Sequence, residues 1–106
     1  MNKRYCVGTE WSYSGDQSMW YEKCYIFPSS PDYEEMDGAN MLGRNDGFEF
    51  NIYNSLEEAI VNAHFNPKHI LFEGMEEAEN KEIERVLNIY TWNQVSGLIK
   101  RKVTNE

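Results

Sequence analysis

Histidine, cysteine and proline are scarce in this chain of 106 residues, which holds two, two and three of them. Cys6 and Cys24 are too few for a disulfide scaffold and lack the close pairing of a zinc knuckle or a C-x-x-C redox site, so they read as reduced, partly buried thiols. His64 and His69 have no second histidine or cysteine at ligand spacing and read as surface or boundary residues. A Cys-His nucleophilic pair has no local signature, and there is no glycine-rich phosphate cradle, no serine elbow and no acid-base pair brought together by spacing. No catalytic residue, metal ligand or cofactor is assigned, and binding is favoured over catalysis. Long apolar runs are missing too. None approaches the ~18–20 residues that span a bilayer, and the charged start, Met1 to Gly8, is not followed by an apolar segment of signal-peptide length. A cytoplasmic protein with no membrane role is expected.

Positive charge is the other shortage: the net charge is −8. Residues 1–27 are neutral in sum and residues 63–106 carry −1. Residues 28–62 set Asp32, Glu34, Glu35, Asp37, Asp46, Glu49, Glu57 and Glu58 against Arg44 alone, a net of −7. A field of that sign repels phosphate backbones, so direct nucleic-acid binding is disfavoured and a partner with a basic surface is drawn in.

What the chain does have is enough apolar surface for one domain. The apolar fraction is 41% and the aromatic fraction 14%, sufficient to offset chain ordering, and the length matches a single core. Tyr5 to Tyr13 alternates as a half-buried strand, and Met19 to Phe27 resumes one after the Ser14–Ser18 turn cluster, giving a hairpin. A turn centred on Gly15 sets Tyr5 opposite Tyr25, Trp11 opposite Met19 and Cys6 opposite Cys24. Pro28 to Gly47 reads as a loop of about twenty residues, far above the usual four to six, with room for a short edge strand or helical turn near Ala39–Leu42. Asn45-Asp46-Gly47 is a turn signal, and Phe48, Phe50 and Ile52 alternate as the third strand. Ser55-Leu56-Glu57-Glu58 has capping-box spacing and opens a helix that Asn66-Pro67 stops, near Phe65. His69 to Glu73, closed by Gly74, reads as a buried strand, in parallel with the third if both share a sheet. A longer helix follows from Glu76 to Tyr90. At Thr91-Trp92-Asn93-Gln94 it either restarts or kinks, with Val95, Leu98 and Ile99 continuing its apolar stripe and Lys100-Arg101-Lys102 at its negative end.

The resulting class is α+β: about four strands, mainly antiparallel, with two or three helices covering one sheet face. Leu56, Ile60, Ala63, Ile83, Val86, Leu87 and Tyr90 are expected in that core. The opposite face is expected to be aromatic, and if open it would favour association, including a homodimer. The functional reading is a protein-binding module, of the inhibitor or adaptor sort that phages and mobile elements encode, docking on a larger host protein; a sharper version has its acids imitate nucleic-acid phosphates. Its contact residues are Asp32, Tyr33, Glu34, Glu35, Met36, Asp37 and Asp46, where rings and a thioether anchor and carboxylates steer. The alternative is a small-ligand or nucleotide binder that stacks its ligand on Trp11, Tyr13, Trp20 and Tyr21.

Overall fold

The alternating segment forms strand β1 (Tyr5–Tyr13), which lies at the centre of a five-stranded sheet. The computed structural model describes residues 3–13, 19–43 and 46–100, apart from the side chains of Tyr13, Met19, Trp20 and Tyr21; the Ser14–Ser18 cluster, Arg44, Asn45, Arg101 and Lys102 lie outside. Strands β2 (Met19–Pro28) and β4 (Asp46–Tyr53) flank β1, both antiparallel to it. Strand β3 (Ala39–Leu42) borders β4 at one edge, and the two-residue β5 (Leu71–Phe72) joins β2 in parallel at the other. The long loop thus holds both an edge strand and a 3-10 turn, Pro31–Met36, which brings the sheet to five strands where about four were expected.

The hairpin register differs from the one read from the turn. Tyr5 faces Pro28, Cys6 faces Phe27 and Trp11 faces Tyr21, a displacement of three residues up to Glu10 and two beyond an irregularity at Trp11. Because side chains alternate between faces, an odd displacement turns β2 over. It delivers Cys24 and Ile26 to the helix-covered core with Tyr5 and Val7, while Cys6 joins Phe50 and Ile52 on the opposite face. Burial of β2's apolar residues sets the register, and the turn's centre does not. Both thiols are free, and the sheet lies between them. Burial pushes the Cys24 thiol up to about 11.

Helix α1 (Leu56–Asn62) starts where the capping residues place it: Ser55 Oγ accepts from the Glu58 amide at 3.1 Å, and the Glu58 carboxylate accepts from the Asn54 amide at 3.2 Å. It stops short of Phe65, because Ala63 is its C-cap and His64 turns left-handed at φ 53°. Glycine fits that position with no Cβ penalty. His64→Gly is therefore expected to stabilise the protein by about 0.5–1 kcal/mol, read as a raised urea midpoint at unchanged m-value. A lowered midpoint would show that the imidazole contributes more than its backbone costs.

A second 3-10 turn (Pro67–His69) takes up the start of the expected buried strand, leaving Leu71 exposed and Ile70 in the core. β4 and β5 do run parallel in one sheet, but β1 and β2 lie between them. Helix α2 (Glu77–Ile89) then crosses α1, and Leu56, Ile60, Ala63, Ile83 and Val86 are buried as expected, with Leu87 and Tyr90 packed half-buried at the rim.

The expected second or kinked helix after Tyr90 is instead a hairpin, β6 (Tyr90–Asn93) and β7 (Gly97–Lys100). Asn93 Oδ1 accepts from the amides of Val95 and Ser96 at 2.8 and 2.9 Å, and Gly97 takes φ +80°. An Asx turn closed by a left-handed glycine, after the strand-forming Tyr-Thr-Trp, prevails over the capping-box spacing. Val95, assigned to an apolar stripe, is at the tip and 95% exposed.

Candidate docking surface

The acidic loop is built into the fold more than its charge count implies. Its 3-10 turn lies over the sheet face opposite the helices, where the Tyr33 ring meets Phe27 edge-on at 5.4 Å and approaches Phe50 at 6.0 Å. That face is aromatic, as expected, and the turn partly covers it. Arg4 pins the turn: its Nη1 pairs with Glu34, its Nη2 lies 3.9 Å from Asp37, and its Nε donates to Asn54 Oδ1 at 3.0 Å. Ser29 Oγ donates to Glu34 at 2.9 Å, and the Ile52 amide donates to Asp37 at 2.8 Å. Glu34, Asp37 and Tyr33 therefore hold the loop to the sheet. Asp32 and Glu35 remain exposed without an ion pair among the described residues, and Met36 is at the margin of exposure.

Asp46 is not part of that cluster. It opens β4 at the end away from Ile52, six residues along the strand, hence about 20 Å from the contact with Asp37. There it meets Trp11, expected as a stacking ring, together with residues that the sequence did not single out as a site. Glu10, Trp11, Glu22, Met41, Leu42, Asp46 and Phe48 surround an open cleft of about 410 Å³. Met41 is 57% and Leu42 70% exposed, and no cation comes within 4.0 Å of Glu10, Glu22 or Asp46 among the described residues, although Lys23 faces Glu10 across the ladder. Met41-Leu42, two large apolar residues directly before a turn on a strand without charge, was the available signal.

Trp11, offered as a stacking ring, is 3% exposed and lies over Gly47, its partner across β1 and β4. The side chains of Tyr13, Trp20 and Tyr21 lie outside the described residues. His64 and His69 are exposed, and no three His, Cys, Asp or Glu side chains among the described residues form a metal-ligand group.

Other carboxylates are engaged within the helical layer. Glu57 accepts from Tyr90 at 2.6 Å and from Arg85 at 2.8 Å, bonds that hold its carboxyl below the usual range, and Arg85 also pairs with Glu82 at 2.7 Å. Glu79, buried, accepts from the Tyr5 hydroxyl at 2.5 Å, from the Glu76 amide at 2.9 Å and lies 3.1 Å from Lys3 Nζ. No described helix is long and apolar enough to cross a membrane. Set against protein-family models, curated proteins and solved structures, the chain has no significant match in any of the three.

Proposed function

We propose that this chain is a non-catalytic protein-binding domain that docks an acidic surface onto a basic site of a larger protein, as an inhibitor or adaptor does. One observation carries the reading: three carboxylates without an ion-pairing cation among the described residues, Glu10, Glu22 and Asp46, ring the same cleft end at which Met41 and Leu42 are exposed. Apolar side chains that cost free energy to leave in water, set among charges of one sign, are what a steered and anchored contact requires. Asp32 and Glu35, exposed on the 3-10 turn, add to the acidic surface away from the cleft. The loop's other members act through the fold, since Glu34, Asp37 and Tyr33 already have partners within the chain.

The small-ligand reading keeps one support, because a cleft of about 410 Å³ is within the size range of ligand pockets. Its carboxylate rim disfavours nucleotides, whose phosphates it would repel. Capture from a lysate of the source cells by the tagged chain tests the docking proposal. A basic protein is expected to be retained at low salt and released at about 0.5 M salt, where screening shortens to a few ångströms. The triple variant Glu10→Gln, Glu22→Gln, Asp46→Asn is expected to lose it, and Asp32→Asn with Glu35→Gln to weaken it less. An identical retained set for the wild-type chain and the triple variant removes the proposal.

A further inference from the structure

We propose that the free edge of β3 takes an extended, lysine- or arginine-bearing segment of the partner protein as an added sixth strand. This inference rests on the docking reading and supplies its mode. Among the described residues the sheet has two edges, and they differ. β5 offers two residues, whereas β3 offers four, Ala39-Asn40-Met41-Leu42, without a charge or a proline. Sheet edges in soluble proteins are ordinarily blunted by such residues, because open amides and carbonyls recruit other strands.

The register shows which groups are open. The Gly43 amide donates to the Asp46 carbonyl at 2.7 Å, and residues of an antiparallel ladder alternate between facing the neighbouring strand and facing away. Asn40 and Leu42 therefore turn their amides and carbonyls to the open side, two donors and two acceptors in line. A strand laid there would set side chains beside Met41 on one sheet face and Leu42 on the other, both exposed now. Main-chain bonds of this kind give affinity, and the flanking side chains give specificity.

Charge selects the occupant. Asp46 and Glu49 lie on β4, one strand further in, about 10 Å from an added strand, which is about one screening length and within the span of a long basic side chain. A second copy of this chain would bring the same carboxylates against themselves across the new pairing. That argues for a different and basic segment.

The test uses the full chain with two synthetic probes, acetyl-(Lys-Val)3-amide and acetyl-(Glu-Val)3-amide, followed by amide hydrogen exchange and by titration calorimetry. Saturation with the basic peptide is expected to slow exchange at Asn40 and Leu42 at least tenfold while leaving Leu71 and Phe72 unchanged, and the acidic peptide is expected not to bind. Leu42→Pro removes an outward amide at a position where β4 loses no bond, and should weaken the basic peptide at least tenfold with the circular dichroism intact. If that variant does not fold, Met41→Lys, a charge at an exposed site, is expected to weaken it likewise. Binding without protection of Asn40 and Leu42, or undiminished binding by these variants, overturns strand addition while leaving acidic docking in place. No binding of the basic peptide overturns it too, and protection that appears with protein concentration alone would assign the edge to a second copy; the capture experiment above decides the docking reading independently.

Discussion

Gly47→Ala is expected to destabilise the protein by about 2–4 kcal/mol, one of the largest effects of any single methyl group added to this chain. A Cβ built on Gly47 overlaps Cζ2, Cη2 and Cε2 of Trp11, a rigid ring that is 3% exposed, so the methyl cannot enter without displacing it. The backbone of Gly47 is not in the left-handed region, unlike that of Gly38, Gly74 and Gly97, so the position needs glycine for space and not for its turn conformation. Either the ring leaves its seat and exposes on the order of 200 Å² of apolar surface, or β1 and β4 separate locally. Thermal unfolding should report a melting temperature lower by on the order of 10 °C or more, given about 4–8 °C per kcal/mol for a domain of this size. In a double-mutant cycle with Trp11→Leu the two substitutions should cost less together than in sum, since the smaller side chain makes room for the methyl. A Gly47→Ala protein that melts within a degree or two of wild type would show that the ring is not seated on that glycine. The same substitution reaches function, because Trp11 and Gly47 both line the cleft between Met41 and Glu22.

Gly47 also shows where local sequence reasoning stops. Asn45-Asp46-Gly47 reads as a turn, yet Asp46 and Gly47 open β4, Asn45 lies outside the described residues, and nothing adjacent says that a tryptophan thirty-six positions earlier will lie across the glycine. The elements legible in the sequence are those fixed by near neighbours: the alternation of β1, the Ser55 cap of α1, the apolar face of α2 and the strand from Phe48 to Ile52. Elements decided by distant contacts are not legible in that way, or are legible only as one of two alternatives. Thr91-Trp92-Asn93-Gln94 has the spacing of a capping box and equally that of a strand entering an Asx turn, and Gly97 in the left-handed region favours the second. The acidic cluster was the clearest feature of the composition, yet a charge count cannot see that Arg4, thirty residues before Glu34, pairs with it. Glu10 and Glu22 lie on separate strands, and only the pairing of β1 with β2 and β4 brings them to one cleft with Asp46.

Glu79 is expected to govern a large part of the acid limb of the stability curve. Burial by itself pushes its carboxyl upward, and the bonds from the Glu76 amide, the Tyr5 hydroxyl and Lys3 outweigh that, leaving it below the ordinary carboxylate range. The unfolded chain therefore takes up this proton first, near pH 4.3. The stabilisation is complete above that value and is lost as the pH falls through it toward the folded value. Tyr5 gives the opposite limb: burial first, then its bond to Glu79, raises the hydroxyl far above its usual value, so its contribution is complete below about pH 10 and fades only at higher pH. At neutral pH, Glu79→Ala leaves the buried Tyr5 hydroxyl without its acceptor and should cost about 2–3 kcal/mol, measured by urea unfolding. Glu79→Gln keeps an acceptor but cannot titrate, so its stability between pH 6 and pH 3 should fall less steeply than that of wild type. The partnership with exposed Lys3 adds little, because solvent screens it. Glu57 and Glu82 are also held below the usual range and keep their share of the acid limb in both variants. An acid slope in Glu79→Gln equal to that of wild type would therefore assign the whole limb to the Arg85 network between the two helices and leave the Tyr5–Glu79 bond a purely packing contact.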